Sequence, residues 1–119
     1  MKTTNIFIKT SEPLDQVAGA IGEALGVEFA KQSSNGEVFF EASDDIETIS
    51  VYLNDYEDLP DLPLSQYHAC VEIVGYYGDT RRLQRARALF NSLKELKRFS
   101  ILLADNADVR LDEYEPVKP

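Results

Sequence analysis

One cysteine, Cys70, one histidine, His68, and no tryptophan leave this chain little material for several kinds of chemistry. A lone cysteine cannot close an internal disulfide, which suits a reducing compartment. One histidine and one cysteine cannot assemble an ordinary zinc site within one chain. There is no glycine-rich phosphate loop, no Cys-x-x-Cys pair and no His-Glu-x-x-His. His68 and Cys70 stand two apart on a strand and so share a face, but such neighbours lie about 7 Å apart, beyond direct hydrogen bonding. No stretch approaches the ~20 apolar residues of a membrane span. The short run Ile6-Phe7-Ile8 is too brief for a signal-peptide core. Basic residues are scarce as well, 12 against 21 acids, for a net charge of −9. That balance opposes nucleic-acid binding, which phosphate neutralisation dominates. It suits a basic protein partner, because complementary potentials steer encounter. These shortages point to a cytosolic, non-enzymatic chain with no cofactor and no metal.

What is present is enough for one core. The 119 residues, 44% of them hydrophobic, fall near the commonest single-domain size, and residues 1–119 read as one domain. A first strand is expected at Asn5–Lys9. A helix should follow, capped by Ser11 with Pro13 in its first turn, and carrying Leu14, Val17, Ala18, Ile21 and Leu25 as one apolar stripe. Gly26 is a natural left-handed stop, and Gly19 and Gly22 suggest close approach to the sheet. Val27–Gln32 and Glu37–Ala42 read as strands joined by Ser33-Ser34-Asn35-Gly36, in which Asn-Gly is a strong hairpin signal. Ile46–Leu53 alternates, with Ile49, Val51 and Leu53 on one side and Ser50, Tyr52 and Asn54 on the other. Pro60 and Pro63 make 55–66 a loop. Tyr67–Tyr77 is the longest strand candidate. Asp79 and Thr80 should cap a second helix, about 81–99, that buries Leu83, Ala86, Leu89, Phe90, Leu93 and Leu96. Ile101–Ala104 and Val109–Tyr114 form a terminal hairpin. The order β-α-β-β-β-β-α-β-β predicts an α+β fold, a mainly antiparallel sheet of five to seven strands with both helices on one face.

Charge is unevenly distributed. Residues 81–98 hold seven of the twelve bases and a single acid, Glu95, for a net +6, and the rest of the chain carries −15. Arg81, Arg82 and Arg85 fall within one helical turn and are candidates for an anion site. The acids gather in 44–47, in the loop 55–63 and in 105–115. The loop sets Tyr52, Tyr56, Leu59 and Leu62 among Asp55, Glu57, Asp58 and Asp61, and aromatic anchors rimmed by charge are how protein interfaces concentrate energy. These carboxylates lack the spacing of an EF-hand.

The small acidic α+β domain, the acid-and-tyrosine loop 52–62 and the terminal hairpin together resemble the immunity proteins that neutralise bacterial polymorphic or contact-dependent toxins. The resemblance implies a toxin domain as partner, often a basic nuclease whose active site the inhibitor blocks. Tyr52, Asp55, Tyr56, Glu57, Asp58 and Asp61 would then serve as phosphate mimics and aromatic anchors. Two other readings are consistent with the residues. One is a regulatory module that binds an anion or small ligand at Arg81, Arg82 and Arg85. The other is a homo-oligomeric scaffolding subunit.

Overall fold

In the computed structural model, which describes residues 3–60, 62–75 and 79–116, the alternation of the strands resolves into one seven-stranded antiparallel sheet. The elements follow the expected order: β1 Thr3–Lys9, α1 Leu14–Leu25, β2 Ala30–Ser34, β3 Glu37–Ser43, β4 Glu47–Leu53, β5 Ala69–Gly75, α2 Asp79–Leu96, β6 Ser100–Asp105 and β7 Val109–Tyr114. Across the sheet the strands run β2-β3-β4-β5-β1-β6-β7, which puts the first strand between β5 and β6. Residues of even and odd number on a strand point to opposite faces, so register fixes which side each residue serves. Ile6, Ile8, Ile49, Val51, Val71, Ile73, Ile101 and Leu103 face the helices. Val17, Ala18 and Ile21 of α1 and Ala86, Leu89, Phe90 and Leu93 of α2 meet them in one core. Both helices therefore cover the same face of the sheet.

Several local expectations shift. The first helix begins after Pro13 with no side-chain cap; the Thr10 hydroxyl instead accepts the Glu12 amide, 3.1 Å away. Gly26 does end it in the left-handed conformation, at φ 68°. Only Gly22 is in close packing: a Cβ there would stand 2.9 Å from the Val27 carbonyl oxygen, whereas at Gly19 it would meet nothing within 4 Å. The first hairpin strand starts at Ala30, three residues later than expected, and Asn35 and Gly36 form its turn with φ of 53° and 82°. That pair of positive values is the primed turn whose twist matches the flanking strands. The strand expected over Tyr67–Tyr77 covers Ala69–Gly75, and Tyr76 and Tyr77 lie outside the described residues. The second helix stops at Leu96, with Lys97 left-handed at φ 53°, and Leu96 itself is half exposed.

Candidate functional site

The face of the sheet turned away from the helices is divided in two. Toward β6, it is covered. Phe7, Cys70, Leu102 and Ala104 form a second cluster with Leu62, Leu64 and Tyr67, which the proline-bearing loop folds back over them. Tyr56 stands edge-on to Phe7 at 5.6 Å and 85°. Asn54 pins this loop. Its side-chain amide donates to the carbonyls of Leu64 and Tyr67, both at 2.6 Å, and its carbonyl oxygen accepts the Tyr56 amide at 3.0 Å. The Asp58 carboxylate accepts the Ser65 amide at 2.8 Å, and this bond holds its pKa below the ordinary aspartate value. Leu59 and Leu62 exchange backbone bonds around Pro60.

Toward β2, the same face is bare and acidic. Glu41, Ser50 and Glu72 lie in one cross-strand row that ends at the buried Asn5, and Tyr52 begins the next, which runs through Cys70, Phe7 and Leu102 into the covered half. The Tyr52 hydroxyl donates to Glu72 Oε2 at 2.8 Å. Asn5 donates to the Cys70 sulfur at 3.6 Å. Burial raises the pKa of Tyr52 far above the ordinary tyrosine value, with Cys70 adding to the effect, and burial likewise pushes the Cys70 thiol up to about 12. A thiol held so firmly protonated is not a nucleophile at neutral pH. His68 is turned to another task, its Nδ1 accepting the Thr10 amide at 3.3 Å.

A cleft opens where β3 and β4 part. Their pairing ends at Phe40 and Val51, although the same register carried further would set Phe39 against Tyr52 and Val38 against Leu53. β3 instead stays with β2 to the Ser34–Glu37 pair, so the hairpin tip swings clear of β4. The wedge encloses about 1010 Å³ and, among the described residues, carries the carboxylates of Asp15, Glu37, Asp55 and Glu72 against a single ammonium, Lys31. Phe39, Phe40 and Tyr52 supply its aromatic surface. β3, β4 and β5 contain no lysine or arginine.

The residues singled out from sequence divide between these regions. Tyr52 and Asp55 line the cleft, whereas Tyr56 packs inward under the loop and Asp58 ties the loop to Ser65. Glu57 is exposed on the loop, and Asp61 lies outside the described residues. Phe39, Glu72 and Asn54 carry as much of the arrangement and did not stand out in the sequence. Asn54 had a signal, an Asn at the end of a strand pattern that can bond the backbone two residues on; Phe39 and Glu72 gain their meaning only from strand order.

Four of the arginines in 81–98 are engaged by the chain's own groups. Arg82 is buried, its Nε donating to Thr4 Oγ1 at 2.8 Å and its Nη2 lying 3.5 Å from Asp105. Arg85 meets Glu47 at 3.1 Å, Arg87 meets Asp112 at 2.5 Å, and Arg98 pairs with Glu12. Arg81 is exposed. Among the described residues no group of three or more His, Cys, Asp or Glu is arranged to hold a metal, and no helix is long and apolar enough to cross a membrane. Comparisons with protein-family models, curated proteins and solved structures return no match.

Proposed function

We propose that this chain is an acidic protein-binding domain of the immunity type, which inhibits a cationic toxin domain by seating a basic segment of it in the cleft between the hairpin and β4. The observation that carries this reading is the charge of that cleft: four carboxylates and three aromatic rings with one ammonium among them, counted over the described residues. The arginines of α2 are the weaker candidates for the role, because Arg82, Arg85 and Arg87 already face the chain's own carboxylates and, of the candidate set Arg81, Arg82 and Arg85, Arg81 alone is fully exposed. A carboxylate set beside an aromatic ring suits a lysine or arginine side chain, which gains both ion pairing and attraction to the ring face. The tyrosines contribute differently from the sequence-based picture. Tyr52 fixes Glu72 in place, and Tyr56 holds the loop down, so the carboxylates are presented on a pre-ordered surface that loses little freedom on binding.

The test is co-expression with cationic nuclease domains of polymorphic toxins, beginning with any encoded beside this chain. The chain should protect cells from one of them and co-purify with it. A variant carrying Asp15→Asn, Glu37→Gln, Asp55→Asn and Glu72→Gln should lose protection while remaining folded. Undiminished protection by that variant would remove the cleft from the interface.

A further inference from the structure

The two outer edges of the sheet are treated very differently. β7 carries Arg110, Asp112 and Glu113, and its register against β6 slips between Leu103 and Ala104. Charge and irregularity of that kind are how proteins blunt an edge against further pairing. β2 has neither device. All five of its residues are exposed, its pairing with β3 is regular from Ala30–Glu41 to Ser34–Glu37, and it contains no proline and one charge, Lys31. Because the ladder alternates, and because a two-residue turn makes Ser34 and Glu37 a hydrogen-bonded pair, Gln32 and Ala30 bond to β3 while Lys31 and Ser33 aim their amides and carbonyls outward.

We infer that β2 accepts an eighth strand, an extended basic segment of the protein partner, by antiparallel addition at this edge. The side chains of β2 on the bare face are Ala30, Gln32 and Ser34, and behind the two small ones stand Glu41 and Glu37 on β3. A new strand would lie two strand spacings from β3, about 10 Å. A lysine or arginine opposite Ala30 or Ser34 can reach over those short side chains to the carboxylates beyond. The preferred segment therefore carries basic residues four positions apart. A second copy of this chain is the poorer occupant, because each copy brings a net charge of −9 to the contact.

This inference rests on the reading of the chain as a binder of basic proteins, but it is scored at different residues. The probe is the capped peptide Thr-Arg-Thr-Val-Thr-Arg-Thr, added at millimolar concentration to the full chain and followed by amide hydrogen exchange. The amides of Lys31 and Ser33 should slow by about tenfold or more, with Gln32 unchanged, as expected when a partner strand forms main-chain hydrogen bonds. The same peptide with glutamate for arginine should give no slowing. Neither should Ser33→Pro, which removes an outward donor and leaves the ladder to β3 intact. N-methylation of the peptide's alternate amides is a second control that needs no change to the chain. Unchanged exchange at both residues, equal slowing by the glutamate peptide, or slowing that tracks the chain's own concentration would each overturn the proposal. The inhibitor reading is scored separately, by protection against a toxin domain and its dependence on the cleft carboxylates, so either can fail alone.

Discussion

Cys70 and Asn54 carry the sharpest consequences at the scale of single residues. The Cys70 thiol is pushed up to about 12 by burial on the covered part of the sheet face. Below the ordinary thiol pKa of about 8.5, native and unfolded chains both hold the proton, and this contribution to stability is fully present. As pH rises further, the unfolded chain releases its proton and the native chain does not, so stability falls by up to ~1.4 kcal/mol per unit until the native thiol also ionises. Tyr52, its pKa raised by burial, adds a loss of the same sign above the ordinary tyrosine value of about 10. Urea unfolding between pH 8 and 10 should show this decline, and Cys70→Ala, though less stable throughout, should flatten it. Asn54→Ala leaves the part-buried Tyr67 carbonyl and Tyr56 amide without their partner and removes one of the two donors to the Leu64 carbonyl, which keeps the Tyr67 amide. The expected cost is about 2–3 kcal/mol, read as a lowered urea midpoint. The loop 55–66 should also become the first site of proteolysis. The loop itself was legible from Pro60 and Pro63, but its direction was not. Leu59 and Leu62 look alike as surface anchors in a run of acids, yet once the topology sets β1 beside β5, Leu62 joins Leu64 over Phe7 and is buried, whereas Leu59 stays exposed.

At the scale of elements, α1 offers a paired comparison. Gly22 lies against the chain that leaves the helix, 2.9 Å separating a hypothetical Cβ from the Val27 carbonyl, and Gly19 faces open space. Gly22→Ala should destabilise by about 1–3 kcal/mol through overpacking. Gly19→Ala should stabilise by up to ~1 kcal/mol, because alanine holds a helix better than glycine where nothing is crowded. Thermal midpoints moving in opposite directions would check both. The order of helices and strands follows directly from pattern: the period of Val17, Ala18 and Ile21, the alternation of Ile49 and Val51, and the Asn35–Gly36 turn each agree with the final fold. Where boundaries moved, local chemistry was outvoted. Val27 to Phe29 has strand-like composition, yet these residues are used to turn the chain back against Gly22, and β2 begins only at Ala30. The parting of β3 from β4 after Phe40 and Val51 has no local signal at all, since Phe39 and Tyr52 are both good strand residues.

Over the whole molecule, charge is sorted by face. The basic helix suggested by residues 81–98 is real, and the fold sets it against acids brought from distant parts of the chain, Glu47, Asp105 and Asp112 for Arg85, Arg82 and Arg87. Net charges of segments were readable from sequence, but not which segments would face one another. What remains outward on the β2–β5 side is negative and reaches from the bare sheet face into the cleft. Long-range attraction from such a surface acts chiefly on association rate and is weakened by salt. The most direct measurement is therefore the association rate constant with a protected toxin domain, by stopped flow from low to high salt, for the natural chain and for the variant neutralised at Asp15, Glu37, Asp55 and Glu72. The account predicts a rate that falls steeply with salt for the natural chain, a loss of about tenfold or more in the variant at low salt, and convergence of the two at high salt. Equal rates for both chains across the salt range would contradict it.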